Sequence, residues 1–290
     1  MDETVLETTA PDDITAEYAP SELTQPAKLS TRVRLRVGAK SDLGRVRENN
    51  EDKFEYYIPQ DDAVLAARGS AFLVCDGMGG HAAGQIASEL AAKTFIDVYY
   101  SHSAEEPIEA IIAAIRAANR YVLDVGRSVQ GRRGMGTTLT ALIIRENSIW
   151  VGQAGDSRLY RLREGKCERL TRDHTFVEES IRFGSMTKEE AEVHPHRHVL
   201  TRAVGAEDLL VPDVEKHDLL AGDRFILCSD GLTNHVSDAA IGEAMSRLGP
   251  SELAWFLIGL ALQDGGSDNT TVLSVFVDGL DPVEPEADAE

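Results

Sequence analysis

Ala71-Phe72-Leu73-Val74-Cys75-Asp76-Gly77-Met78-Gly79-Gly80-His81 is the stretch whose reading decides the fold. A short apolar run, 71–75, ends at an aspartate, and a glycine-rich turn follows. A carboxylate placed at a strand end is held by the sheet while its oxygens face an open loop. The same grammar returns at Gly155-Asp156-Ser157-Arg158, at Cys228-Ser229-Asp230-Gly231 and at Ser267-Asp268-Asn269. A further acidic element, Arg47-Glu48-Asn49-Asn50-Glu51-Asp52, precedes them all. Several such ends brought together make a cage of hard oxygen ligands, which suits Mg²⁺ or Mn²⁺ rather than zinc. A cluster of divalent ions is a direct route to a nucleophilic hydroxide at neutral pH.

Outward from this stretch the chain alternates groups of strands with paired helices. Val33, Leu35 and Val37 alternate with arginines, as in a half-buried strand. Two helices follow residue 81. The first places Ala87, Leu90, Ala91, Thr94, Phe95 and Val98 on one face, and the second Ile108, Ile111, Ile112, Ile115 and Val122. Pro107 suits an early position of the second. Segments 138–144, 148–154 and 158–163 read as a meander with turns at Arg145-Glu146-Asn147 and Gly155-Asp156. Strands resume at 214–219 and 224–228. A last helix presents Leu253, Phe256, Leu257 and Leu260 on one face, and the strand 271–277 closes the body. This order predicts an α+β sandwich of antiparallel strands. It disfavours a doubly wound parallel sheet, because strands and helices do not alternate one by one.

Composition narrows the function classes. Of 290 residues, 42% are hydrophobic, enough for one large core. The formal net charge of −20 argues against non-specific nucleic-acid binding. The excess is concentrated at the ends: residues 1–30 hold seven acidic side chains and one lysine, and residues 278–290 hold six and none. Both ends, 1–30 and 279–290, read as acidic disordered extensions around a body at 31–278. Glu51, Asp52, Asp76, Asp156, Asp230 and Asp268 account for most of what remains, an excess that two or three divalent cations would offset. Cys75, Cys167 and Cys228 have neither disulfide nor zinc spacing, and the first and last read as small buried hydrophobes. The absence of an apolar leader and of any run long enough to span a bilayer gives the expectation of a cytoplasmic, reduced, soluble protein.

With these residues in place, the chain resembles the metal-dependent type 2C protein Ser/Thr phosphatases in their compact bacterial form. The match rests on Arg47…Asn50-Glu51-Asp52, Asp76-Gly77-Met78-Gly79-Gly80-His81, Gly134-Met135-Gly136-Thr137-Thr138, Gly155-Asp156-Ser157-Arg158, Ser229-Asp230-Gly231-Leu232 and Asp268-Asn269, six elements in the family's order. Each alone is weak, since Asp-Gly pairs are common turns. Together they are specific. The resemblance implies a four-layer α/β/β/α sandwich with two central antiparallel sheets and a metal site at one edge between them. It implies hydrolysis of phosphoserine and phosphothreonine by a water or hydroxide that bridges two ions of Mn²⁺ or Mg²⁺, with no phospho-enzyme.

Carried over residue by residue, Asp76 bridges both ions, the Gly77 carbonyl ligates one, and Asp230 and Asp268 complete the other. Glu51 and Asp52 hold metal-bound waters. Asp156, with Asp230, matches the site of a third, weaker ion, and Arg47 clamps the phosphate. The resemblance also implies a monomer whose partners are phosphoproteins, namely bacterial Ser/Thr kinases and their substrates. The sequence departs from the family where eukaryotic members carry a histidine as general acid: Met78 stands there, and His81 is shifted along the loop. Residues 175–198 match the flap of bacterial members, with His194, His196 and His198 alternating within it.

Overall fold

The computed structural model describes residues 28–80 and 82–283. Two antiparallel sheets lie face to face. The first runs in the order β1 (Thr31–Asp42), β11 (Thr270–Pro282), β10 (Arg224–Cys228), β7 (Arg158–Arg163) and β8 (Lys166–Arg169). The second runs β2 (Asp52–Tyr57), β3 (Ser70–Met78), β5 (Leu139–Arg145), β6 (Ser148–Ala154) and β9 (Asp213–Asp218), with the two-residue β4 (Gly136–Thr137) paired to the end of β3. The helices are α1 (Asp62–Arg68), α2 (Ala82–Ser101), α3 (Pro107–Ser128), α4 (Phe176–Arg182), α5 (Lys188–Glu192), α6 (Asp230–Thr233), α7 (Asp238–Arg247) and α8 (Pro250–Gln263).

Side-chain alternation along the strands sorts the core into three slabs. Phe72 and Val74 of β3, Leu142 and Ile144 of β5, Phe225 and Leu227 of β10 and Leu273 and Val275 of β11 meet between the sheets. Ala71, Leu73 and Cys75 point the other way, onto α2 and α3. Ile226, Cys228, Val272 and Phe276 point outward onto α7 and α8. Strands buried on both faces read as continuous apolar runs, which is why 71–75 shows no alternation while edge strand β1 does. Burial of one large apolar side chain is worth about 1.5–3 kcal/mol, so these slabs dominate the stability. The result is the expected α/β/β/α order.

Four expectations need correction. Segment 158–163 does not continue a meander. β5 and β6 pair in the second sheet, whereas β7 pairs with β10 and β8 in the first. The turn at Gly155–Ser157 therefore crosses between sheets. The strand at 71–75 does not end at Asp76; it runs to Met78, because Gly77 and Met78 pair with Thr137 and Gly136. The closing strand reaches past the expected end of the body, since Gly279 to Pro282 pair with Arg34 to Thr31. At the other end Leu29 is buried, and Ser30 accepts a hydrogen bond from the Val283 N–H. The rest of both acidic extensions lies outside the described residues. Finally, α8 buries Leu253, Ala254, Leu257, Ile258 and Ala261, leaving Phe256 exposed: alanines complete the helical face that its apolar bulk suggested.

Candidate active site

One edge of the sandwich opens into a cleft of about 960 Å³ lined by Arg47, Glu51, Asp76, Gly77, Asp156, Asp230 and Asp268. Of the site residues expected from sequence, Asp52 alone does not line it. Each of the others is delivered by a strand end or a loop tied to one. Asp76 sits in β3 directly across from Asp52 in β2. Its N–H donates to Thr138 Oγ1 at 2.8 Å, and its carbonyl accepts from the Thr138 N–H at 2.8 Å and from Thr137 Oγ1 at 2.9 Å. Asp230 opens α6, directly after β10 and Ser229, and accepts from Asn234 Nδ2 at 3.2 Å. Asp156 lies in the crossover turn, whose Gly155 carbonyl accepts from Gln153 Nε2 and from the His174 N–H, both at 2.9 Å.

The loop carrying Arg47 and Glu51 has no regular structure of its own, and Asn269 supplies its frame. This side chain is 5% exposed. Its Nδ2 donates to the carbonyls of Leu43 and Asn49 at 2.9 Å, and its Oδ1 accepts from the Glu51 N–H at 2.8 Å. Close backbone approach does the rest. A Cβ on Gly84, in the first turn of α2, would sit 2.1 Å from Glu51 Oε2, and one on Gly77 would sit 2.2 Å from the Gly84 carbonyl. Only glycine at both positions lets α2, β3 and the Glu51 loop converge.

The electrostatics are those of crowded like charges. Burial raises the pKa of Asp76 and Asp156 well above the usual carboxylate range, and that of Asp230 upward; neighbouring carboxylates add to it in each case. Asp52, 8% exposed, is pushed up to about 7, first by burial and further by Asp230 and Asp268. One of its oxygens accepts from Ser229 Oγ at 2.7 Å; the other is buried without a hydrogen-bond partner. Arg47 meets Asp268 at 2.7 Å, a half-exposed guanidinium with donors to spare. Among the described residues no three acidic, histidine or cysteine side chains close into a formed metal shell. Convergent hard oxygens and few opposing cations nevertheless fit divalent cations, whose charge inverts this pKa pattern.

The protein phosphatase 2C family model matches residues 48–253. The chain belongs to the protein phosphatase 2C family. Among relatives of this phosphatase 2C chain, the serine/threonine protein phosphatase PstP of Mycobacterium tuberculosis is 38% identical over 239 residues, covering 82% of this chain and 44% of that protein. The chain thus spans less than half of that relative's length. The serine/threonine phosphatase stp of Listeria monocytogenes is 36% identical over 241 residues, 81% of this chain and 93% of that protein. The crystal structure of the M. tuberculosis phosphatase PstP/Ppp superposes with a TM-score of 0.75 at 38% identity, covering 84% of this chain and 99% of that one. The catalytic domain of PstP in complex with two manganese ions gives 0.73 at 38% identity, with 86% and 100% covered.

Within this phosphatase 2C fold, sequence reasoning missed the residues that position the acids. Thr138, read as a plain strand residue, holds Asp76 and also meets Ser157 Oγ at 2.7 Å. Ser229 ties Asp52 to the N–H of Thr271 in β11. His174, 1% exposed, accepts from the Gly155 N–H through Nδ1 at 3.2 Å and meets Asp213 through Nε2 at 3.0 Å, so it braces the Asp156 turn. Burial lowers its pKa, which keeps Nδ1 an acceptor. Ser229 directly precedes Asp230, His174 directly precedes the flap and Thr138 closes the Gly134–Thr138 motif, the one signal the sequence offers. The three free cysteines stay outside the chemistry: Cys75 and Cys228 are buried, and burial pushes all three thiols up.

Proposed function

We infer that this chain is a metal-dependent protein phosphatase that hydrolyses phosphoserine and phosphothreonine in proteins. The observation that carries it is the convergence of Asp76, Asp156, Asp230 and Asp268 on one cleft beside the half-exposed Arg47. A phosphate monoester dianion repels an anionic nucleophile, so positive charge must offset that repulsion. Asp76, the Gly77 carbonyl, Asp230 and Asp268 would hold two ions of Mn²⁺ or Mg²⁺, with Asp156 and Asp230 at a third. Such ions supply an acidified water and charge for the phosphoryl oxygens. Glu51 would orient water at the cleft wall. Asp52, behind that wall, supports the site through Ser229. Arg47 keeps one donor on Asp268 and offers the others to the phosphate.

The substrates in this reading are bacterial Ser/Thr kinases and their targets, met by a cytoplasmic monomer. Support comes from bacterial relatives that are themselves named serine/threonine phosphatases. Among the described residues no helix is long and apolar enough to cross a membrane. The test is hydrolysis of a phosphothreonine peptide: activity with Mn²⁺ that EDTA abolishes is expected, and turnover persisting in EDTA contradicts the reading.

A further inference from the structure

The flap carries three alternating histidines, and the fold brings one of them to the site. His194 and His196 pack with Phe176 at the root of α4, with ring centroids 5.5 and 5.9 Å from the phenyl ring and 5.5 Å from each other. His198 takes no part in that cluster and lines the catalytic cleft instead. Among the described residues it is the one imidazole that does so. Its place is fixed although its side chain is exposed. The Phe176 N–H donates to the Val199 carbonyl at 2.8 Å, the Thr201 N–H donates to the His174 carbonyl at 2.8 Å, and Thr175 bridges to Leu200. His198 thus leaves the flap at its pinned root, not from its protruding helices.

Resting on the phosphatase reading above, we propose that His198 is a catalytic residue that donates a proton to the serine or threonine oxygen as its bond to phosphorus breaks. An alkoxide is a poor leaving group unless it is protonated as it departs. The other cations of the cleft, Arg47 and Arg202, do not give up protons near neutral pH. In the step, a water oxygen bonds to phosphorus and its proton passes to solvent. The electron pair of the breaking P–O bond goes to the serine or threonine oxygen, which takes its proton from the imidazolium. The neutral ring then regains a proton from solvent.

Leaving-group dependence tests this where a structural role would not. The full chain with Mn²⁺ is compared with its H198Q and H81Q variants on a phosphothreonine peptide and on p-nitrophenyl phosphate, whose phenolate departs without a proton. H198Q is expected to lose roughly 10²-fold in kcat on the peptide, the scale of a lost general acid, while the aryl ester changes less than about threefold. The exposed position makes misfolding of the variant a small risk. Equal losses on both substrates, no loss on the peptide, or a split shown by H81Q in place of H198Q would each overturn the proposal. Failure of the unmodified chain to hydrolyse the peptide at all would instead sink the phosphatase reading, and this donor with it.

Discussion

The strand ends and the flap border the same cleft but are built on opposite principles. At the strand ends Asp76 is held by backbone pairing and by the buried Thr138 hydroxyl, and the Ser229 hydroxyl, one residue before Asp230, holds Asp52. In the flap, α4 buries no residue and α5 only Ala191, while Phe183 and Val193 stand in solvent. The contrast teaches a division of labour. Groups that must hold like charges together need a frame that cannot relax, and the sheets provide it. The flap is a thinly packed segment, where sequence can change without cost to the core.

Breaking the rigid side should have the largest effect. Asp230→Asn removes a carboxylate from the centre of the cluster, and kcat on a phosphothreonine peptide should fall by on the order of 10³-fold with the fold intact by circular dichroism. Retained turnover would mean that the strand ends do not carry the chemistry. Arg47→Ala removes a charged hydrogen-bond donor from the phosphate, so KM should rise about 10- to 100-fold with a smaller change in kcat; steady-state kinetics with the same peptide decide it.

Stability sharpens the same contrast. Asp52 has a folded pKa near 7 against 3.8 for its ordinary value. The folded state therefore holds a proton that the unfolded chain gives up. Its contribution is fully present below about pH 4 and is lost as pH rises through about 7. Melting temperature measured in EDTA should fall across that window, and Asp52→Asn should flatten the slope. A flat profile in the parent chain would contradict the crowded-acid picture. The smallest effect belongs to the flap. Phe183→Ser should leave stability within about 0.5 kcal/mol of the parent, with any kinetic change confined to KM for protein substrates.

Much of this was legible in the residues. The apolar run 71–75 followed by Asp76 gave a buried strand with an acid at the cleft, and the spacing of Pro107, Ile111 and Ile115 gave α3. The crossing of β7 and β10 into the other sheet was not legible. Turns at Gly155-Asp156 and Ala221-Gly222 look the same whether the next strand pairs with its neighbour or leaves for the facing sheet. Of the site, Asp76 and Asp230 are readable because each follows an apolar strand and precedes Gly, and Asp156 and Asp268 because they stand in polar turns in the same order. In the sequence Asn269 is only the neighbour of Asp268; its framing role depends on Leu43, Asn49 and Glu51, which only the fold brings near it. Asp52 reads as a holder of metal-bound water, yet its side chain, on the same sheet face as Asp76, is buried against Ser229 of the facing sheet.

Anomalous diffraction from crystals soaked in Mn²⁺ bears most directly on the central claim. Two strong peaks in the cleft are expected, with Asp76 between them and both Asp230 and Asp268 on one. Peaks elsewhere, or a cleft without manganese while Asp76, Asp230 and Asp268 remain too far apart to share ions, would contradict it.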